Sequence, residues 1–376
     1  MLDKKFFLSI LFVSIIISFS LGVYVGVFEI PPYAVFNFIF DEIMDKNENQ
    51  ITKFSNPTFN ISSIIDIENQ NDIFEKRKEL IYFIFKDNDT FYKKLPTKIE
   101  QNIHYERFSD LKNLKNIDKF FIDMEYGVSS NAYFLLPENT TQKLVIYHHG
   151  HSIDISTEKQ ILQSLLNKNY AVLVFSMPLV SENSTPIIDS EKYGKFRLNL
   201  HNDLIFLESD NFSPLKFFIE PISSSLNYLD QNYSFSHYYM MGISGGGWTT
   251  GVYAALDPRI EKSFPVAGTS PMFLRLNNPH NLGDYEQMSL DFYNIANYLE
   301  QYVMASDGEN RKQFQIFNKN DPCCFSGDDF LIYEDEVQHV LSQIGTGNFS
   351  IYIDENNFKH SISSDSLNLI LNELEN

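Results

Sequence analysis

The chain has 376 residues, of which 43% are hydrophobic and 21% charged, so it is long enough for one large domain or two ordinary ones and too apolar to stay disordered. Its formal charge of −20 leaves no basic excess for a nucleic-acid partner. Thirty-four Phe and 21 Tyr supply core material.

Phe6 to Phe28 is 23 residues without a charge, preceded by Lys4 and Lys5 and followed by Glu29, Asp41 and Glu42. About 20 apolar residues span a bilayer as a helix. The flanking charges orient such a helix with its start in the cytoplasm and the rest of the chain outside. Residues 1–30 are therefore expected to be an uncleaved membrane anchor. A cleaved signal peptide is the rival reading, with Ser18-Phe19-Ser20 as a small-x-small site, although apolar sequence continues past it.

Residues 31–117 are charged, Asn-rich and irregular, a linker or helical extension. One helix is expected at Asn71–Lys86, whose short apolar face suits packing on the domain downstream. From Asp118 onward the pattern changes. Strands are expected at Lys119–Tyr126, Ser130–Leu136, Leu144–His148, Tyr170–Phe175, Tyr238–Gly242, Ser263–Ala267, Phe314–Phe317 and Phe349–Ile353. Helices are expected at Ser156–Leu166, Pro214–Leu229, Ser244–Leu256 and Ser363–Leu374. Short apolar strands alternating with helices indicate an α/β fold over 118–376, its mostly parallel sheet covered on both faces. Two stretches break the alternation, 177–212 and 275–313. Both come after strands at the carboxyl edge of the sheet, where open α/β sheets bind ligands, so both are expected to shape a pocket. Within the second, Asp284-Tyr285-Glu286 reads as a solvated turn, with contact to a polar substrate as the other reading.

Two cysteines occur, Cys323 and Cys324. A disulfide framework would use more, spaced apart. Neighbours bridge only with strain, so both read as small buried side chains. Seven N-x-S/T sequons, beginning at Asn60, reflect the richness in Asn.

Gly242-Ile243-Ser244-Gly245-Gly246 matches G-x-S-x-G between an apolar strand and a helix, the setting that holds a serine at a strained, exposed turn. Side chains at Gly242 and Gly246 would clash across that turn, and Gly247 and Gly251 let the helix approach the sheet. The N–H of Gly245, at a helix start, is a candidate oxyanion donor. A serine nucleophile needs a base and an orienting acid, which come after it in the order acid, then histidine. Of His280, His339 and His360, only His360 lies in the loop between the last strand and the last helix. Asp321, just past the strand Phe314–Phe317, is the matching acid, with Asp328, Asp329 and Asp354 as rivals. The loop after Leu144–His148 reads His148-His149-Gly150-His151, and the N–H of His151 is the second candidate donor.

With these residues in place, the span from Asp118 to Asn376 resembles the α/β-hydrolase superfamily. Trp248-Thr249-Thr250 and Ala254-Ala255-Leu256-Asp257-Pro258-Arg259 are most similar to its dienelactone-hydrolase and acetyl-xylan-esterase branch. Asn318 departs from it, since many members carry glycine there. The resemblance implies a serine esterase. His360 would take the Ser244 proton, Asp321 would hold the imidazole, and the N–H groups of Gly245 and His151 would receive the oxyanion. The implied substrate is a small-molecule ester, with no metal and no organic cofactor. Other readings stay open. His148, His149, His151 and Asp154 form H-H-x-H-x-x-D, close to a metal-dependent hydrolase pattern. A serine peptidase or a non-catalytic binding protein could use the same scaffold.

Overall fold

The computed structural model describes residues 61–275 and 281–375, with Ser18 alone before them. Apart from Ser18, the expected anchor at 6–28 lies outside the described residues, as does His280. Among the described residues no helix is long and apolar enough to cross a membrane. The described residues from 61 onward belong to a unit that starts at Asn60.

Among the described residues, nine strands form one sheet in the order β1-β2-β3-β5-β4-β8-β9-β10-β11. These are β1 (Lys98–Glu100), β2 (Leu114–Asp123), β3 (Ser129–Pro137), β4 (Lys143–His148), β5 (Ala171–Phe175), β8 (His237–Ile243), β9 (Ile260–Val266), β10 (Lys312–Asn318) and β11 (Asn348–Asp354). From β5 across to β11 every pairing is parallel, and the β1, β2, β3 edge is antiparallel. The mostly parallel sheet expected from the alternation of strands and helices is present. A separate hairpin, β6 (Ile187–Ser190) with β7 (Gly194–Arg197), lies inside the 177–212 insertion. Neither the hairpin nor β1 is among the expected strands, because three or four residues leave too few alternating positions to register as a pattern.

The central strands are buried on both faces, and the parity of their side chains sorts them into two cores. Leu144, Ile146, Leu173 and Met240 point into one. Val145, Tyr147, Val172, Tyr239 and Met241 point into the other. The second core is closed by α2 (Ile155–Asn167) and α7 (Ser364–Glu375), through Ile161, Leu162, Leu165, Leu367, Ile370 and Leu374. The first is closed by α1 (Gln70–Phe85), α3 (Lys216–Asn232), α4 (Gly245–Leu256), α5 (Tyr298–Ser306) and α6 (Glu334–Ile344).

Helix α4 is buried along its whole length. Its final carbonyls, like those of α5, therefore need partners inside the protein. Two arginines supply them. Arg311 donates to the carbonyls of Ala254 at 2.7 Å, Asp307 at 2.7 Å, Met304 at 3.0 Å and Ile260 at 3.0 Å. Arg77, on α1, donates to Ala255 O at 2.9 Å and Met304 O at 3.3 Å. Positive charge at the negative end of a helix is favourable in its own right. Desolvation lowers the Arg311 pKa to about 10, which leaves it charged at neutral pH.

Helix α1 carries a capping box, with Asn69 and Asp72 exchanging bonds at its start. Its apolar face, through Ile73, Leu80, Ile81 and Ile84, enters the first core. Residues upstream of the sheet are thus part of the same packing. Leu80 is fully buried, and truncating it should cost about 2–5 kcal/mol. Urea unfolding of Leu80→Ala, with an unchanged slope and a lower midpoint, is the expected measurement; an unshifted midpoint would show that α1 contributes nothing to the core.

Candidate active site

Ser244 sits between β8 and α4 with φ 58° and ψ −127°, a conformation that costs a non-glycine residue about 1–3 kcal/mol and needs strong surroundings to persist. Those surroundings are visible. The Ser244 N–H donates to Val266 O of β9 at 2.9 Å, and Ser244 O accepts from Trp248 N–H at 3.0 Å inside α4. A Cβ on Gly246 would stand under 3.0 Å from the backbone oxygens of both His148 and His149, and one on Gly242 would meet the Gly246 carbonyl. Gly247 is also tight, since a Cβ there would lie 2.7 Å from Val266 O. Gly251 is not: its nearest neighbours would lie at 3.8 Å, ordinary contact, so the expectation that it is needed for close approach is corrected.

Beyond β10 the chain bends, and Asp321 accepts from His360 Nδ1 at 2.8 Å through Oδ2. Its Oδ1 accepts the N–H of Cys323 at 2.9 Å and of Cys324 at 3.4 Å. Burial pushes this carboxyl up, but the His360 bond and the Cys323 N–H outweigh it and hold its pKa below the usual aspartate range. Because Nδ1 is bonded to Asp321, Nε2 is the His360 nitrogen left for proton transfer. Asn318, which the sequence marked only as a departure, clamps this arrangement. Its amide donates to Asp321 Oδ2 at 3.2 Å and to the carbonyls on either side of His360, Lys359 O at 3.2 Å and Ser361 O at 3.1 Å. Glycine could make none of these bonds.

The rival acids are committed elsewhere or face solvent. Asp354 accepts Ser363 Oγ, Ser366 Oγ and the N–H groups of Asn356 and Asn357. Asp328 and Asp329 are exposed. His339 is bonded to Gln343 on α6.

Ser244 and His360 line one cavity of about 410 Å³, together with Gly150, His151, Asp284 and Gln287. Gly150 backs directly on Ser244, since a Cβ there would reach Ser244 Cβ at 2.8 Å. This brings the His149-Gly150-His151 loop beside the serine. The Gly245 N–H heads α4, where helical N–H groups have no intrahelical acceptor. The loop itself is fixed from below by a buried pair that the sequence did not lead us to expect: His149 Nε2 lies 2.6 Å from Glu158 Oε1, and Arg107 Nε donates to Glu158 Oε2 at 2.6 Å. A signal existed, because Glu158 interrupts the apolar stripe of α2 as a fully buried charge.

The four residues of the H-H-x-H-x-x-D pattern do not converge. His148 Nδ1 pairs with His149 O at 2.8 Å, and burial lowers its pKa to about 3. His149 is engaged by Glu158, and Asp154 caps α2 through Ser156 and Thr157. His149, His151 and Asp154 line the cavity, and of the four His151 is the one that reaches groups from both insertions. There it meets His201 of the first insertion and Asp284 of the second. The reading of Asp284-Tyr285-Glu286 as a solvated turn is corrected: Tyr285 and Glu286 are buried.

The cysteines also differ from expectation. Cys323 and Cys324 form a disulfide, and Cys323 is exposed rather than buried. On a strand, neighbouring side chains point to opposite faces; in this bent loop both project to the cavity side, where they line the wall with Cys324 Sγ 3.8 Å from His360 Nε2.

The fold is shared with known esterases. An acetyl xylan esterase from Paenibacillus sp. R4 superposes with a TM-score of 0.52 at 14% identity, covering 84% of this chain and 97% of that one. Acetyl xylan esterase 1 from Thermoanaerobacterium sp. JW/SL YS485 gives 0.50 at 13% identity, covering 84% and 96%. The chain thus has the α/β-hydrolase fold expected from the elbow. No protein-family model and no curated protein matches it in sequence.

Two outcomes are expected. Gly246→Ala should unfold at far lower temperature than the parent or fail to fold, whereas Gly251→Ala should be neutral or stabilising by up to about 1 kcal/mol through helix propensity; equal melting temperatures would refute the steric account. Asp321, whose folded pKa is depressed, contributes stability above its unfolded value near 3.8 and loses it as pH falls through the folded value. Unfolding curves of the parent and Asp321→Asn should therefore differ at about pH 6 and converge as pH falls through that folded value; a gap that stays constant as the solution is acidified would assign the difference to packing.

Proposed function

We propose that this protein is a serine hydrolase of carboxylic esters, working through Ser244, His360 and Asp321. The observation that carries it is the strained serine at the head of a buried helix, on the wall of the same cavity as a histidine whose Nδ1 is held by a buried aspartate. In this reading His360 Nε2 takes the proton of Ser244 Oγ as that oxygen attacks the ester carbonyl. The N–H groups of Gly245 and His151 take the charge that develops on the carbonyl oxygen, each worth about 10²–10³ in rate. His360 returns the proton to the departing alcohol, and water then releases the acyl group by the same steps in reverse.

A cavity wall that includes His151, Ser152, Asp154, Asp284 and Gln287 suits an ester of a polar alcohol rather than a long lipid chain. The acetyl xylan esterases that share the fold are in keeping with a short acyl group on a sugar. The uncharged segment 6–28 supports a membrane-anchored enzyme with its catalytic part outside the cytoplasm. The bridged cysteines agree with an oxidising location.

The test is hydrolysis of p-nitrophenyl acetate by the full-length chain in mild detergent. Ser244→Ala and His360→Ala should each lower kcat by at least about 10³-fold. A fluorophosphonate probe should label the parent at Ser244. Undiminished turnover in Ser244→Ala would remove the serine from the chemistry.

A further inference from the structure

His201, in the first insertion, and Glu286, in the second, belong to no part of the proposed triad, yet both are almost fully buried beside the cavity. Together with His151 and Asp284 they bring four ligand-type atoms within 4.8 Å of one another. The contacts form a chain. Asp284 Oδ2 lies 3.0 Å from His151 Nε2, which lies 2.9 Å from His201 Nδ1, which lies 3.1 Å from Glu286 Oε1.

Proton placement within this chain fails by elementary counting. His201 Nε2 is 2.9 Å from Pro178 O, and a carbonyl can only accept, so that nitrogen carries the hydrogen. In the neutral ring Nδ1 is then a bare lone pair facing a carboxylate oxygen, acceptor against acceptor. Adding a proton to Nδ1 cures that contact and breaks another. His151 Nε2 must then either donate to Asp284, leaving donor against donor at His201, or accept from His201, leaving acceptor against acceptor at Asp284. With both carboxylates ionised, no arrangement matches all three contacts. Glu286 Oε2 is besides buried with no hydrogen-bond partner.

One cation resolves every mismatch, because a metal ion asks each of the four groups for a lone pair. We propose that His151, His201, Asp284 and Glu286 form a binding site for a divalent transition-metal ion of the Zn²⁺ type. Two imidazoles and two carboxylates are the donor set of a borderline ion. The three contacts of the chain, at 2.9–3.1 Å, lie a few tenths of an ångström inside the edges, about 3.3 Å, of a tetrahedron with about 2.0 Å bonds, and the remaining pairs lie within 4.8 Å. The hydrogen bond from His201 Nε2 to a backbone carbonyl is the usual outer support that fixes a liganding histidine's tautomer. Glu286 Oε2 gains a partner if the carboxylate binds through both oxygens. Such an ion joins three separate segments, the loop after β4 and both insertions, and it holds the residue whose N–H is the second oxyanion donor of the proposed mechanism.

The full-length protein, stripped with a chelator and dialysed into metal-free buffer without reductant, is titrated with Zn²⁺ by calorimetry, with Co²⁺ absorption as a second probe. One ion per chain is expected. His201→Ala and Asp284→Asn should weaken binding by more than the 10–100-fold, approximately, that losing an outer partner costs, while Cys324→Ser leaves it unchanged. Asp284 is partly exposed, so Asp284→Asn keeps the fold, checked by its melting temperature in chelator. Three outcomes would overturn the site: no uptake of Zn²⁺ or Co²⁺, parental affinity in Asp284→Asn, or loss of the ion in Cys324→Ser, which would move it to the cysteine pair and His360. Zinc uptake is read directly, so it stands or falls apart from any result on Ser244.

Discussion

The first turn of α4 lies against the carbonyl oxygens at the end of β4, with no room for a single carbon atom between them. That closeness is the constraint on which the site depends. It sets Ser244 in a backbone conformation that side chains rarely adopt, and it presses the loop of Gly150 and His151 against the serine. A helix start, a strand end and the His149-Gly150-His151 loop are thereby brought together by contact between backbones, which no change of rotamer can relax.

A helix driven so deep has to be satisfied at both ends. At its start the N–H groups without an intrahelical acceptor come directly after Ser244, which lines the cavity, and such groups suit an anion. At its end no solvent is available, and the guanidinium groups of Arg311 and Arg77 take up the carbonyls. These arginines come from distant parts of the chain. The geometry at one end of α4 thus goes with charge placed at the other, and α1 is one of the sources.

What the sequence revealed was what repeats or lies close along the chain. The alternation of short apolar strands with helices marked the sheet, and the glycines around Ser244 marked the turn, because both are local patterns with a steric cause. The order of Asp321 and His360 came from the same connectivity. Contacts between distant segments left no such trace. His201 and Glu286 are 85 positions apart, and each stands in an insertion whose own sequence has no periodicity. Asn318 was visible only as a residue out of place, and its purpose became plain once the carbonyls of Lys359 and Ser361 were seen on its amide. The cysteines misled because a framework of spaced bridges was the pattern sought, and a bond between neighbours in a bent loop leaves no spacing to read.

The bond between Cys323 and Cys324 differs in kind from an ordinary staple. A cross-link stabilises a fold chiefly by shortening the free loops of the unfolded chain, and the effect grows with the number of residues enclosed. Neighbours enclose none. This disulfide can close before any tertiary structure exists, and it does little to limit the unfolded ensemble. What it restrains is a single link of backbone, the one whose two N–H groups point at Asp321. It acts as a local splint on the acid's surroundings, so its loss would be felt in how the carboxylate is held and hardly at all in whether the protein stays folded.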